Sequence, residues 1–378
     1  MNNSLTNKMY KNRVYITLNK TNLLYNIKNI KKITKDKLIC AVIKDNAYNH
    51  GEVDILKTIK KYVNFYASST LQEAISIRKN DRKTMILILS HIDKSGYKLA
   101  IKNNIALTCS TYKQINDINN EAKKLKKSAY IHIAINTGMN RIGFQITENT
   151  IKELKKAKNL SNIKLEGIYS HFACCDTYDM DEFSKTFTNR QKEHFDEIVA
   201  KLHSEGVDFK FKHIANSAGI IYKKFDNTNM VRPGIILYGL KPDENCKNTI
   251  KLKQAMSLKT YISFIKEIDK DEYISYGATY KTKKKMKIAT IQVGYGDGYP
   301  RILSNTQDVY INGKRCKIVG RITMDQTMID VSKVKCKVGD EVELFGPHIS
   351  IYELAKNSNT IPYEIYCGLN KRIERKII

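Results

Sequence analysis

Short runs of apolar, often β-branched residues alternate with amphipathic segments from residue 38 to residue 237. The apolar runs have the length and composition of buried strands, and there are eight: residues 38–43, 65–69, 84–89, 105–109, 129–135, 163–170, 211–215 and 230–238. Between them apolar residues recur every three or four positions, as at Phe195, Ile198 and Leu202, which predicts helices. This repeated alternation favours a (β/α)₈ barrel over an open doubly wound sheet.

The pattern changes after about residue 248. Short alternating runs, separated by turn signals, occur at residues 257–268, 286–293, 308–320 and 340–346. Asn312-Gly313 inside one of them is a strong signal for a two-residue hairpin turn. We therefore expect a barrel domain at residues 12–247 and a mostly β domain at residues 248–378, with residues 1–11 as a candidate addition to the β domain.

Composition is typical of a cytoplasmic globular protein. Hydrophobic residues make up 42 % of the chain, and the N-terminal segment has no apolar stretch that suits a secretion signal. No run reaches the roughly 18 apolar residues that a membrane-spanning helix requires. The eight cysteines form no CxxC pair, so we expect free thiols in a reducing compartment and no metal site.

The formal net charge of +27 makes nucleic acid a partner to consider, because clustered Lys and Arg neutralise phosphates. The lysines, however, lie along predicted helices rather than beside aromatic stacking positions, as in residues 28–37, 121–129 and 155–160. A solvated lysine-rich surface explains them better, and no nucleic-acid or membrane partner is expected. Such a surface would favour anionic small molecules.

Chemically distinctive residues follow several predicted strands, at the end of a barrel that carries the active site. They are Lys44, Arg141, His171, Asn216, Ser217, Gly234 and Ile235. A partly desolvated lysine is the nucleophilic amine that Schiff-base chemistry requires, and a serine hydroxyl with backbone N–H groups near a glycine is typical of phosphate sites. Each residue alone is better explained structurally. Their shared placement outlines a pyridoxal phosphate site, although spacing does not name the cofactor.

The segment AVIKDNAYNHG, residues 41–51, resembles the pyridoxal-lysine signature of the alanine racemase family, usually close to AVVKANAYGHG. The resemblance continues in order through NTGMNRIGF, EGIYSHFACCD, HIANSAG, VRPGIILYG, SYGATY, VGYGDGY, GRITMDQTMID and CGLNKRIER. It covers nearly the whole chain. It implies a barrel plus a β domain, and a head-to-tail homodimer in which each active site is shared between subunits.

The resemblance implies pyridoxal 5′-phosphate as the cofactor, bound to Lys44 as a Schiff base. The other implied cofactor-binding residues are Tyr48, His171, Asn216, Ser217, Arg232, Gly234 and Ile235. Of these residues, the resemblance implies that Tyr48, Ser217, Gly234 and Ile235 hold the phosphate. Arg232 would face the pyridine nitrogen and keep it unprotonated, which restrains side reactions.

Racemisation needs a proton-transfer group on each face of a planar intermediate, because one base tends to return the proton to the face that it left. By resemblance, Lys44 serves one face and Tyr276 from the partner subunit serves the other. A phenol is a useful base only where positive charge lowers its pKa, and His171 with Arg232 behind it are the groups implied for this influence.

Substrate contacts are implied at Arg141, whose fork geometry suits a carboxylate, and at Met324 of the neighbouring chain. Positions around the substrate entrance match Tyr295, Arg301 and Asp176.

Four positions depart from the family pattern. Ala134 replaces a carbamylated lysine that orients the arginine in many members, so another group or an anion must hold Arg141. Lys371 replaces a tyrosine near the phosphate, which leaves substrate breadth open. Asn49 replaces a glycine and suits a position of positive φ, and Glu374 replaces a common proline.

The leading hypothesis is a racemase that interconverts L- and D-alanine and supplies D-alanine for peptidoglycan. A serine racemase or a broad-specificity amino-acid racemase is the alternative within this class. A non-catalytic pyridoxal phosphate carrier resembles the barrel alone, and such a carrier has no need of SYGATY and GRITMDQ. A decarboxylase on a similar plan would need substrate motifs that we do not find.

Overall fold

The computed structural model describes residues 13–247 and 250–378, which fall into two compact units. The barrel unit comprises Thr21–Lys253, and the β unit joins residues 13–20 to Gln254–Ile378. The suggested packing of residues 1–11 on the β domain lies outside the described residues.

The first described strand, β1 (Val14–Leu18), belongs to the β unit, and the elements of the barrel unit follow it. The barrel strands are β2 (Leu38–Val42), β3 (Phe65–Ser68), β4 (Met85–Ile88), β5 (Ile105–Cys109), β6 (Ala129–Ala134), β7 (Ile163–Tyr169), β8 (Phe211–His213) and β9 (Met230–Val231). The helices are α1 (Lys20–Thr34), α2 (Lys44–Tyr48), α3 (Glu52–Ile59), α4 (Leu71–Asn80), α5 (Tyr97–Lys102), α6 (Tyr112–Lys124), α7 (Glu148–Lys158), α8 (Glu182–Ser204) and α9 (Ser217–Ile221).

The eight strands form one parallel sheet that closes on itself. Strands β2 to β8 pair in succession, and β9 lies on the other side of β2. The ring closes where Asn229 N–H donates to Lys212 O at 3.1 Å and Arg232 N–H donates to Ala215 O at 2.9 Å. The predicted barrel is confirmed. The predicted last strand is too long, because Ile235–Tyr238 form a 3₁₀ turn after β9.

The lysine-rich segments lie on the outer faces of the helices, as predicted. In α6 the buried residues are Ile115, Ile118, Asn119 and Ala122, and the lysines of its last turn face solvent. An apolar stripe at helical spacing packs on the sheet while the long cationic side chains remain hydrated.

The β unit contains an eight-stranded sheet and a small separate hairpin. Its elements are β10 (Met256–Ile268), β11 (Tyr273–Ile274), β12 (Tyr280–Lys281), β13 (Met286–Ile291), β14 (Asp308–Ile311), β15 (Lys314–Lys317), β16 (Thr327–Asp330), β17 (Glu341–Phe345), α10 (Ile351–Asn357), α11 (Pro362–Gly368) and β18 (Glu374–Ile377). The main path of the large sheet runs β15-β14-β17-β10-β1-β18, and β13 joins β10 to β16. Asn312 and Gly313 have φ of 45° and 87° between β14 and β15, which confirms the predicted hairpin turn.

Strand β1 belongs to the β unit, so the barrel unit begins later in the chain than the sequence predicted. The sequence placed residues 12–20 in the barrel domain, but Val14 pairs with Thr260 of β10 and Tyr15 pairs with Glu374 of β18. All five residues of β1 are buried between these two neighbouring strands. The pairing assigns residues 13–20 to the β unit, because β1 completes hydrogen-bond ladders on both of its edges.

Membrane-spanning helices and metal clusters were searched for in the described part of the chain. Among residues 13–247 and 250–378, no helix is long and apolar enough to cross a bilayer. Those residues also form no group of three or more His, Cys, Asp or Glu side chains that suits a metal ion. All eight cysteines are free thiols.

We predict that Gly167→Ala in β7 destabilises the protein by roughly 1–3 kcal/mol, the usual cost of overpacking a core. A Cβ on Gly167 would overlap the ring of His132, which is completely buried. Urea unfolding measures the effect. Gly368→Ala, where nothing lies within 4 Å of the added carbon, is the matched control and should have little effect. Equal unfolding midpoints for the two variants would contradict the prediction.

Candidate active site

Lys44 follows β2 after one residue, Ile43, and begins a left-handed turn. Residues 45–49 all have positive φ, with values of 51°, 52°, 58°, 52° and 63° for Asp45, Asn46, Ala47, Tyr48 and Asn49. None of them is glycine, and each left-handed residue with a side chain costs about 1–2 kcal/mol. Asn49 occupies the conformation expected from its replacement of glycine. The turn α2 therefore requires stabilising contacts from elsewhere in the barrel unit.

Those contacts come from Glu73 and Tyr238. Glu73 Oε1 accepts a hydrogen bond from the Asp45 N–H at 2.6 Å. The Tyr238 ring lies 5.0 Å from the Tyr48 ring and 4.3 Å from the His50 ring, measured between centroids. Buried aromatic packing of this kind offsets local backbone cost, and it directs the Tyr48 side chain toward the segment that precedes Tyr238.

Tyr48, Ser217 and Gly234 meet in a small polar recess. The Gly234 N–H donates to Ser217 Oγ at 2.9 Å. A Cβ on Gly234 would lie 2.6 Å from Tyr48 Oη and 3.7 Å from Ser217 Oγ, so the close approach requires glycine. Ile235, which follows, is fully buried. Two hydroxyl groups gathered beside the backbone of a glycine are the kinds of group that bind a phosphate.

Arg232 is a buried cation; only 2 % of its surface is exposed. Its Nη2 donates to Ser170 O at 2.7 Å and to Ile214 O at 3.1 Å, and its Nη1 donates to His213 O at 3.1 Å. Burial lowers the pKa of Arg232 to about 10. Its Nε is buried and has no hydrogen-bond partner among the described residues. A buried donor in this state requires an explanation, and an acceptor supplied by a ligand is one.

Two histidines complete the shell around Arg232. His213 Nδ1 lies 2.8 Å from Nη1, and His171 Nδ1 lies 3.1 Å from Nη2. Because a guanidinium only donates, both Nδ1 atoms must accept, and both neutral rings carry their proton on Nε2. His213 Nε2 then donates to His132 Nδ1 at 2.9 Å. Arg232, His213 and His132 thus form one directed chain through the barrel interior.

Burial and positive charge keep these histidines neutral. Burial, followed by the charge of Arg232, lowers the pKa of His132 to about 3. The same causes lower the pKa of His213. Burial lowers the pKa of His171 as well, and the charges of Arg232, Arg141 and Lys44 add to that effect.

Asn216 lies beside His171. Its Oδ1 accepts from the Gly219 N–H at 2.9 Å. Its Nδ2 lies 3.4 Å from His171 Nε2, which is a contact between two donors and not a hydrogen bond when Nε2 carries the proton. The barrel end therefore brings Tyr48, Ser217 and Gly234 into one group. It brings Arg232, His171 and Asn216 into a second group, and the charge of Lys44 contributes to the lowered pKa of His171.

Arg141 differs from these residues because its side chain is exposed. Its guanidinium forms no hydrogen bond or ion pair with the part of the chain that the structure describes. Ala134, at the end of β6, is buried and has no polar group to offer. The Arg141 guanidinium is therefore an exposed cation without a hydrogen-bond or ion-pair partner in the described residues, and its planar geometry suits a carboxylate.

The predicted residues of the β unit are exposed. Tyr276 lies in the connection between β11 and β12 with 71 % of its surface exposed, and Met324 is 55 % exposed. The segment that carries Met324 is hydrogen-bonded to the segment that carries Tyr295. The Tyr295 N–H donates to Thr323 O at 3.1 Å, and the Gly296 N–H donates to Met324 O at 2.9 Å. Three other positions that the sequence analysis discussed are also exposed: Asp176 in the barrel unit, and Arg301 and Lys371 in the β unit.

Three residues of the site escaped the sequence analysis. His132 and His213 lie inside predicted strands. A polar residue within an apolar run was the sequence signal that could have identified them. Gln191, fully buried in α8, donates to His171 O at 3.0 Å and accepts from the Ala173 N–H at 2.9 Å. It fixes the segment that carries His171, and nothing in a helical pattern identifies it.

Comparison with known proteins agrees with this arrangement. The family model "Alanine racemase, N-terminal domain" matches residues 18–242, and "Alanine racemase, C-terminal domain" matches residues 255–377. The chain belongs to the alanine racemase family. It is 38 % identical to alanine racemase 2 of Caldanaerobacter subterraneus subsp. tengcongensis, over 95 % of this chain and 93 % of that protein. It is 40 % identical to the alanine racemase of Methanococcus maripaludis, over 93 % and 94 % of the two chains.

Solved structures of alanine racemases share the fold. The enzyme of Clostridium difficile 630 superposes with a TM-score of 0.91 at 37 % identity, covering 98 % of this chain and 96 % of that chain. Alanine racemase from Bartonella henselae with covalently bound pyridoxal phosphate gives a TM-score of 0.86 at 27 % identity, covering 97 % and 100 %. The barrel plus β architecture of the racemase family, expected from the motifs, is confirmed.

We predict that this racemase-family chain loses stability as the pH falls below about 6.5, the ordinary histidine pKa in an unfolded chain. The folded pKa values of His132, His171 and His213 are lowered, so only the unfolded chain takes up protons there. Below pH 6.5 each histidine lowers the free energy of unfolding by up to about 1.4 kcal/mol per pH unit. Above pH 6.5 the stability that depends on these histidines is fully present.

The urea midpoint measured from pH 6.5 to pH 5 tests this dependence. His132→Gln removes one of the three groups and should give a shallower decline, whatever its effect at pH 7. A decline of unchanged steepness would show that His132 is protonated in the folded state.

Proposed function

We propose that this protein is a pyridoxal-phosphate-dependent racemase that interconverts L-alanine and D-alanine. The observation that carries the proposal is the unpartnered Nε of Arg232, which is buried at the same barrel end as Lys44 and the group formed by Tyr48, Ser217 and Gly234. Relatives named alanine racemase, over nearly the full length of the chain, support the choice of reaction and substrate.

The residues of the barrel end fit the cofactor. Tyr48, Ser217 and the Gly234 backbone would hold the phosphate, and Arg232 Nε would donate to an unprotonated pyridine nitrogen. A buried donor left without an acceptor costs roughly 1–3 kcal/mol, and a ring nitrogen would remove that cost. When bound, the cofactor supplies an electron-withdrawing ring that stabilises negative charge at the substrate Cα.

The protein's own groups then bind the substrate and move the proton. Arg141 would hold the substrate carboxylate in its free fork. We assign the proton of D-alanine, on one face of Cα, to the Lys44 amine, and the proton of L-alanine, on the other face, to the Tyr276 phenol of a partner subunit. His171 carries its proton on Nε2, so it would donate to a phenolate oxygen rather than compete with it for a proton.

The shared site requires a homodimer, and the high exposure of Tyr276 and Met324 within one chain supports it. Both side chains are therefore accessible to a partner subunit. We further place the enzyme in the cytoplasm, where its free thiols stay reduced, and its D-alanine in the supply of peptidoglycan.

The alternatives rest on narrower observations. A serine racemase or a broad-specificity racemase is favoured to the extent that Ala134 and the exposed Lys371 alter the pocket. A non-catalytic carrier leaves the exposed Tyr276 without a role. Purified protein, assayed with and without added pyridoxal phosphate on L-alanine, L-serine and L-lysine, separates these functions.

We predict that Lys44→Ala reduces alanine racemisation by at least about 100-fold, the scale of a lost acid–base group. The covalently bound cofactor absorbance near the visible edge should disappear with it. Lys152→Ala, at an exposed position of α7, is the matched control and should behave as the wild-type protein. Wild-type turnover by Lys44→Ala, or fast turnover of serine with negligible turnover of alanine, would refute the corresponding part of the proposal.

We predict that inactive chains complement each other if the site is shared. Lys44→Ala and Tyr276→Phe chains, dissociated and reassembled together, should recover roughly a quarter of wild-type activity, because half of the dimers are mixed and each mixed dimer has one intact site. Differently tagged chains verify that mixed dimers form. Mixed dimers without activity would place Lys44 and Tyr276 of each site on the same chain.

A further inference from the structure

The backbone around Tyr276 has an unusual conformation. Ser275 has φ of 66° and ψ of −177°, a region that is populated almost only by glycine. On the other side of the tyrosine, Gly277 has φ of 70° and Ala278 has φ of 50°. Tyr276 therefore lies between residues that are all in the left-handed half of conformational space.

A hydrogen bond holds Ser275 in this state. Its Oγ donates to Arg321 O at 2.6 Å. The two segments are also in close contact at Gly320, where a Cβ would lie 2.6 Å from Ile274 O and 2.9 Å from Ser275 Cβ. Without the hydroxyl bond, the steric clash of the Ser275 side chain would favour a return to negative φ.

Arg321 also holds the residue after the tyrosine. A Cβ on Gly277 would lie 2.8 Å from Arg321 Nη1 and 3.0 Å from Arg321 Cζ, so the guanidinium covers this glycine closely. One residue thus contacts both neighbours of Tyr276, with its carbonyl on Ser275 and its guanidinium on Gly277.

The Arg321 segment is itself anchored on both sides. Asn305 Oδ1 accepts from the Gly320 N–H at 2.6 Å, and Ser304 Oγ accepts from the Ile322 N–H at 3.0 Å. Asn305 Nδ2 also donates to Thr279 Oγ1 at 3.1 Å, beyond the tyrosine in the same loop. The backbone at Arg321 is therefore fixed by residues outside the loop that carries Tyr276.

We propose that Ser275 and Arg321 are positioning residues that set the direction of the Tyr276 phenol. A ring that is 71 % exposed is not held by packing within its own chain, so its direction is set by the backbone on either side. The inference rests on the proposed function, in which this phenol serves one face of the substrate. It adds that the Ser275 hydroxyl maintains a conformation that serine otherwise avoids.

Two substitutions of Ser275 separate positioning from general stability. Ser275→Ala removes the hydrogen bond and keeps a Cβ, so the backbone should relax and turn Tyr276 away. Ser275→Gly also removes the bond, but glycine adopts the same φ and ψ without a clash. We therefore expect glycine to retain more function than alanine, the reverse of the order for a side chain that only fills space.

Exchange of the Cα hydrogen in D₂O provides the readout. Ser275→Ala should slow exchange from L-alanine, the enantiomer that we assign to Tyr276, by roughly ten- to a hundredfold, the scale of a small misplacement of a catalytic group. Exchange from D-alanine, assigned to Lys44, should change by less than about twofold. Ser275→Gly should lie between Ser275→Ala and the wild-type protein for L-alanine.

Asn312→Ala is the matched control. Asn312 is also a polar residue at positive φ, and its Nδ2 donates to Lys335 O at 3.1 Å in the β14–β15 turn. It should alter thermal stability without altering the ratio of the two exchange rates.

A crystal structure of Ser275→Ala gives a test that does not depend on activity. We expect negative φ at residue 275 and a displaced Tyr276 ring. Retention of φ near 66° with the ring in place, or equal losses of exchange from both enantiomers, would overturn the positioning role. If Tyr276→Phe exchanges both enantiomers at wild-type rates, the proposed function fails instead. The position of the Tyr276 ring in the Ser275→Ala crystal structure is then the test of the positioning role.

Discussion

The barrel end is organised around one buried positive charge that has no carboxylate partner. Within the described residues Arg232 forms no ion pair, and backbone carbonyls and imidazole nitrogens accept its hydrogen bonds. A cation in a site of low dielectric constant disfavours any further positive charge nearby. The surrounding histidines therefore remain neutral, and their tautomers follow from the direction of donation. Among the nitrogens of the Arg232 guanidinium, only Nε is left without an acceptor in the described residues. A carboxylate in the place of either histidine would neutralise the cation and remove this constraint.

The two units hold their functional groups by different means. In the barrel unit, Tyr48, Ser217 and Arg232 are buried, and packing and hydrogen bonds determine their positions. In the β unit, Tyr276 and Met324 are exposed, and the backbone of their loops determines their positions. Groups that complete a site on another subunit must protrude from their own chain, so they cannot be held by their own core. This difference agrees with the proposed division of one site between two chains.

Much of the fold follows from local pattern, since buried parallel strands appear as apolar runs and the strand ends locate Lys44 and His171. The pattern does not separate an apolar strand from an apolar turn, which is why Ile235–Tyr238 was predicted as part of β9. It also cannot show that β1 pairs with strands more than 240 residues away, since VYITL suits either sheet. Tyr276, one of 23 tyrosines, was identified only through the motif that contains it. The order of hydrogen bonds through Arg232, His213 and His132 depends on distances that no local pattern encodes.

The left-handed turn after Lys44 has a consequence for the order of folding. The positive φ values of its residues oppose it, and one of the two contacts that stabilise it is distant in sequence. Tyr238, whose hydroxyl donates to Val42 O at 3.1 Å, is 196 residues further along the chain than Val42. Loop closure over that distance must come before the contact can form. A nascent or partly folded chain therefore has an ordinary flexible lysine at position 44. The reactive arrangement is among the last features to assemble, so the amine is presented to an aldehyde only by a closed barrel.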